Sequence, residues 1–157
     1  MDDIPMTVDG YNRIESELRR LKTVERPEII KALAAAREHG DLAENAEYQA
    51  ARERQAFIEG RVMELEDKIR RAKVIDVNNL RGKDIKFGAK VKVVDEDTDD
   101  EKTYMIVGED EADIKSGRLS ITSPLARALI GKQAGDSVEV MTPNGTKSYE
   151  ILKVSYK

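Results

Sequence analysis

The chain has 157 residues, 37% charged and 4% aromatic, with a net charge of −4 and a pI near 5.3. Few aromatics and many charges imply an open, elongated architecture, one domain or two small ones, more than a single thick core. There is no cysteine and one histidine, which excludes disulfides, thiolate metal sites and His-rich metal sites, and the acidic balance argues against a duplex DNA binder that neutralises many phosphates.

The opening "MDDIPMTVDG" has no basic stretch leading into an apolar one, and no run approaches the roughly 18 apolar residues of a membrane span. A soluble, cytoplasmic protein is expected. From Val8 to about His39, Tyr11, Ile14, Leu18, Leu21, Ile29, Leu33 and Ala36 recur at helical spacing, with Thr7 as a plausible N-cap. Pro27, in "VERPEII", removes one backbone donor and crowds the preceding turn, so a kink or local interruption is expected there. From Glu44 to about Lys73 a second seam runs through Ala51, Gln55, Ile58, Val62, Leu65, Ile69 and Ala72, stepping by four and three as in a coiled coil. Two such segments joined by a few residues predict an antiparallel helical hairpin over residues 1–76, about 45 Å long for thirty residues.

After "KVIDV" the pattern changes at "NNLRGK" to period two. "KVKVV", "TYMIV", "RLSIT", "SVEVM" and "SYEILKV" predict strands, with an Asn144-Gly145 turn in "TPNGT". "SPLARALIGK" predicts a short helix with Ser123 as N-cap, Pro124 first and Gly131 past its end. Residues 80–157 thus read as a compact antiparallel α+β domain.

The stretch "AREHGDLAENAEYQAARER" holds the candidate chemistry. Gly40 and His39 suit a helix C-terminus, and Asp41 with Glu44 suits a capping box at the start of the next helix. The same two carboxylates, three apart, can lie about 5 to 6 Å from each other on one face. That is close enough to share a hard cation such as magnesium, which takes one or two carboxylates and completes its shell with water and phosphate. Alone they would hold it weakly, so a chemical role needs ligands from a partner. Arg37, Arg52 and Arg54 flank the pair and read as solvated helix charges with i,i+4 partners, concentrated where folding does not demand them. "DEDTDDE" begins like a calcium loop but has Asp100 where glycine is required and Ile106 at the twelfth position, so it reads as a solvated loop, as does "GEDEAD". No phosphate loop, nucleophile elbow or catalytic triad is present.

Taken together, "RPEIIKALAAAREHGDLAENAEYQAARERQAFIEGRV", "AKVIDV", "FGAKVKV", "YMIVGEDEAD" and "ITSPLARALIGKQAGDSVEV" resemble the Gre family of bacterial transcription elongation and transcript cleavage factors along essentially the whole chain. The resemblance implies that the second domain is FKBP-like and docks at the rim of the RNA polymerase secondary channel, while the hairpin enters the channel. It implies that Asp41 and Glu44 ligate a Mg2+ ion shared with the polymerase, completing a two-metal clamp with ions about 3.5 to 4 Å apart, and stimulate cleavage of backtracked RNA 3′ ends. It further implies that Arg37 and Arg52, and more weakly Arg54, contact the extruded RNA, and that the contact loop lies near Ser123, Pro124 and Leu125. The acidic net charge and modest basic cluster resemble the branch of the family with the smaller basic patch. The factor is expected to act as a monomer, with no membrane partner, and not as a free-standing enzyme. The rival readings are a channel-binding inhibitor that does not stimulate cleavage, a prolyl isomerase or chaperone, and a coiled-coil scaffold with a capped tip.

Overall fold

The computed structural model describes residues 3–38, 45–77 and 80–156. The chain forms two compact units, one spanning Tyr11–Ala72 and the other combining Asp3–Gly10 with Lys73–Lys157. The first few residues therefore belong with the second unit.

In the first unit, the chain runs through α1 (Val8–Arg20), a π-helical turn (Leu21–Glu25), α2 (Arg26–Arg37) and then α3 (Ala46–Arg71). The predicted stripes are the contact faces. Ile14, Leu21, Ile29, Leu33 and Ala36 are buried on one arm, and Ala51, Ile58, Val62 and Leu65 on the other. Gln55 and Ile69 are half-buried members of the second seam. Pro27 sits at the start of α2, immediately after the π turn, in which the Arg26 N–H reaches back five residues to the Leu21 carbonyl. The widened turn accommodates a residue that has no N–H to give. Across the hairpin, Arg26 grips Glu59 through two bonds of 2.8 and 2.7 Å, and Arg61 grips Glu17 through two of 2.7 and 2.9 Å. Lys22 reaches Glu66 at 2.9 Å. These pairs are substantially exposed, so they serve more to fix register than to stabilise.

In the second unit, β1 (Ile4–Thr7) pairs with β2 (Ala72–Ile75) as a two-stranded sheet. A five-stranded sheet follows, built from β3 (Lys90–Asp95), β4 (Glu101–Val107), β5 (Arg118–Ser120), β6 (Ser137–Thr142) and β7 (Gly145–Ser155), in the order β5-β4-β3-β7-β6. The expectation of an antiparallel sheet throughout is corrected at one edge: β4 and β5 are parallel, Met105 opposite Arg118 and Val107 opposite Ser120. Parallel neighbours need a return connection, and the short 3-10 turns at Glu109–Glu111 and Ile114–Ser116 supply it. The core lies between the sheet and α4 (Pro124–Leu129), with Ile85, Val91, Ile106, Ala126, Leu129 and Ile151 fully enclosed.

Ser123 caps α4 as predicted, its hydroxyl accepting from the Ala126 N–H at 3.2 Å, and Gly131 takes φ 84° beyond the helix end. The β6–β7 turn comes one residue earlier than expected. Thr142 pairs with Gly145, leaving Pro143 and Asn144 as the turn residues, and Gly145 itself carries φ 118°. Proline presets the first turn position and leaves the positive dihedral to glycine. The acidic run is a hairpin loop between β3 and β4, anchored by Asp95, whose carboxylate accepts the Asp97 N–H at 2.9 Å. Among the described residues, no group of three or more Asp, Glu or His side chains could hold a metal ion, and no helix is long and apolar enough to cross a membrane.

"GEDEAD" is not merely a solvated loop. Glu111 is 6% exposed. One oxygen accepts the Thr7 and Gly108 N–H groups, each at 3.0 Å, and the other accepts the Thr7 hydroxyl. Thr7 in turn accepts the Gly10 N–H at 3.0 Å, the N-cap role expected of it.

Candidate functional site

The two helix ends that flank residues 39–44 are tied by one side chain. Asn45 is the N-cap of α3: its Oδ1 accepts the Tyr48 N–H at 3.0 Å, while its Nδ2 donates to the Ala36 carbonyl at 2.6 Å, near the end of α2. This corrects the expected capping box, because Asn45 and not Asp41 caps the second helix. An amide carries both an acceptor and a donor, so it can satisfy an orphan N–H of one helix and a carbonyl of the other; a carboxylate could do only the first. Asp41 and Glu44, with His39 and Gly40, lie outside the described residues.

Around the clasp stands Tyr48. The positive charges of Arg37, the last residue of α2, and of Arg52, one turn along α3, hold its phenol below the ordinary range, Arg37 foremost. Arg37 and Arg52 are exposed and Tyr48 is half-buried. The structure thus brings two of the three predicted arginines together. Arg54 is engaged elsewhere, paired with Glu25 and set 5.4 Å over the Phe57 ring. Asn45 and Tyr48 were missed by sequence reasoning. The available signal was an asparagine directly before a helical run, as favourable a cap as the aspartate four residues earlier.

In the second unit, the candidate contact residues divide by role. Ser123 spends its hydroxyl on the cap, Leu125 packs against the core, and Pro124 remains exposed. A cavity of about 120 Å³ on the sheet is lined by Tyr104 and Tyr149 together with Asp95, Asp100, Lys102 and Lys147. Burial pushes the Tyr104 hydroxyl above its ordinary range, with Lys147 opposing the shift.

Comparison with known proteins adds to this geometry. Residues 4–74 match the family described as transcription elongation factor, N-terminal, and residues 80–156 match transcription elongation factor, GreA/GreB, C-term. The chain is 64% identical over 156 residues to transcription elongation factor GreA of Caulobacter vibrioides (strain NA1000 / CB15N), covering 99% of each chain. It is 59% identical to the protein of the same name from Hyphomonas neptunium (strain ATCC 15444), covering all of both. Among solved structures, GreA factor homolog 1 (Gfh1) of Thermus thermophilus aligns over 98% of this chain and 99% of that one, with 26% identity and a TM-score of 0.44. With both of its parts matched and relatives of this identity along its whole length, the chain belongs to the GreA/GreB family of transcription elongation factors.

Proposed function

We propose that this elongation factor enters the secondary channel of bacterial RNA polymerase with its helical hairpin and stimulates the polymerase's own cleavage of backtracked RNA 3′ ends, releasing arrested complexes. The observation that carries the reading is the placement of the acidic segment. In sequence Asp41 and Glu44 fall between α2 and α3, whose ends Asn45 ties, and Arg37 and Arg52 are exposed on those two helices.

The division of labour follows from side-chain chemistry. Asp41 and Glu44 offer hard oxygen ligands, the donor type that suits Mg2+ held jointly with a partner. Such an ion, when bound, supplies an activated water and neutralises charge at the cleaved phosphodiester. Arg37 and Arg52 hold the extruded RNA through its phosphates. Arg54, already paired with Glu25, has the smaller part. The second unit serves as an FKBP-like docking domain at the channel rim. Its sheet with α4 packed on one face supports that description, and exposed Pro124 is the leading contact residue. The charged walls of its cavity argue against a proline-binding isomerase pocket. The factor works as a monomer and is not an enzyme alone, since the remaining ligands belong to the polymerase.

The test uses stalled, backtracked polymerase complexes with radiolabelled RNA. Asp41→Asn and Glu44→Gln should abolish stimulated cleavage while leaving the melting temperature within a degree or two of the parent. Full cleavage by both variants, or RNA cutting by the free protein with magnesium, would overturn the reading. An unaltered block of elongation without any cleavage by the parent protein would favour the inhibitor instead.

A further inference from the structure

The cavity of about 120 Å³ in the second unit gathers polar groups that the rest of the protein leaves without partners. Tyr104 shares a face of β4 with buried Ile106, and Tyr149 shares a face of β7 with buried Ile151, so the cavity opens off the core side of the sheet. Asp95, at the end of β3, stands opposite Tyr149, and Lys102 stands opposite Val93.

Asp95 and Tyr104 are each 8% exposed. One oxygen of the Asp95 carboxylate accepts the Asp97 N–H, and among the described residues nothing donates to the other. The hydroxyls of Tyr104 and Tyr149 make no hydrogen bond there either, and Lys102 and Lys147 line the same space without an ion pair. Buried polar groups are ordinarily satisfied inside the protein. Among the described residues no fully enclosed side-chain oxygen or nitrogen lacks a partner, so the free oxygens of Asp95 and Tyr104 open into the cavity that these residues line.

Charge selects the occupant. Two ammonium groups, on Lys102 and Lys147, stand against two carboxylates, on Asp95 and Asp100. An ion of either sign would meet as many like charges as unlike ones, whereas a ligand carrying both signs can turn each toward its opposite. Burial sets the direction, because Asp95 is enclosed and both lysines are exposed. The cationic end therefore goes inward and the anionic end toward the mouth. The tyrosines favour that order, since their ring faces attract cations and their hydroxyls can accept from an ammonium group. Size limits the rest: a cavity of about 150 Å³ holds benzene, so the ligand is no larger than a small amino acid.

We infer that this cavity is a binding site for a small zwitterion of the amino-acid class, with its ammonium group on Asp95 and the Tyr104 and Tyr149 hydroxyls and its carboxylate on Lys102 and Lys147. None of these residues belongs to the hairpin, and occupancy needs neither RNA nor polymerase.

Nuclear magnetic resonance titration of the full chain with glycine, β-alanine and γ-aminobutyrate, whose charges lie progressively farther apart, tests the site. At least one should give saturable shifts, in the millimolar range, at the amides of Asp95, Lys102, Tyr104, Lys147 and Tyr149. Acetate and methylammonium each carry only one of the two charges and should bind roughly tenfold more weakly, the order expected for one lost charge-assisted contact. The preferred zwitterion should be weakened to the same degree by Asp95→Asn and by Lys147→Gln. Asp95 also anchors the β3–β4 loop, so the exposed Lys147→Gln variant keeps the result independent of folding. Acetate or methylammonium binding as tightly as the best zwitterion would reduce the cavity to a site for one sign of charge and overturn the inference. Unchanged affinity in Lys147→Gln, or no saturable shift at these residues with any of the three zwitterions, would overturn it as well.

Discussion

Two helices of this protein begin in opposite ways. The first turn of α1 is closed by Thr7 and by Glu111, a buried carboxylate 104 residues away in sequence. The first turn of α3 is closed by Asn45, which reaches only three residues forward and nine back, in a partly exposed setting. Both satisfy the orphan N–H groups that every helix start presents. The remote cap consumes all the acceptors of a charged group in an enclosed place, and that is a folding tie. The local cap ties only neighbouring turns and leaves Arg37 and Arg52 exposed beside it.

If the contrast is right, the remote cap should be the costlier to break. Glu111→Ala leaves the Thr7 and Gly108 N–H groups buried without an acceptor, and a loss of about 3 kcal/mol is expected in urea unfolding. Glu111→Gln keeps one oxygen and should lose less. Gly10→Ala comes next. An added Cβ would lie 2.3 Å from the Glu111 carboxyl, so although alanine favours a helix by about 1 kcal/mol, displacement of the carboxylate should leave a net loss of about 2 kcal/mol. Asn45→Ala should cost about 1 kcal/mol, and Asn45→Asp less, since it keeps the acceptor for Tyr48 while giving up the donor to Ala36. An Asn45→Ala cost equal to that of Glu111→Ala would break the comparison.

The smallest effect concerns the exposed pairs of the hairpin. Arg61 holds the Glu17 carboxyl below its ordinary value, Arg26 holds that of Glu59, and Arg71 and Arg70 hold that of Asp67. A carboxylate with a lowered folded-state pKa favours the fold at neutral pH, and its contribution disappears as pH falls through the ordinary carboxylate range and then through the lowered value. The urea midpoint, followed by helical circular dichroism, should therefore drop slightly on acidification, and 1 M salt should shrink that pair-dependent part of the drop.

The seams were legible in the sequence because burial on a helix repeats with the helix itself: Ile58, Val62 and Leu65 could be named from spacing alone. Strand existence was legible for the same reason, but strand partners were not. Period two marks a half-buried strand without stating the direction of its neighbour, so the parallel β4–β5 edge lay hidden behind a connection that reads as loop. Glu111 was hidden by its company, since one buried carboxylate among "GEDEAD" looks like the rest until Thr7 arrives from the far end of the chain. At the site, two aspects were separable. The basic residues Arg37 and Arg52 could be named from their placement, whereas the cap could not be chosen between Asp41 and Asn45. Both residue types cap well, and only the carbonyl of Ala36, supplied by the other helix, discriminates them.

The π turn at Leu21–Glu25 has a consequence for how the hairpin tolerates changes of length. Leu21 and Ile29 are eight residues apart, yet both are buried on the seam. In an unbroken α-helix the matching separation is seven, so the turn amounts to one surplus residue stored inside the arm. Removing any one exposed residue of that turn would restore an even heptad without sliding Leu33 or Ala36 off the partner helix, provided that Pro27 were replaced as well. The same deletion made between Ile29 and Ala36 has no such reserve to draw on. It would rotate everything beyond it by about 100°, turning Arg37 away from Tyr48 while leaving the composition of the arm almost unchanged.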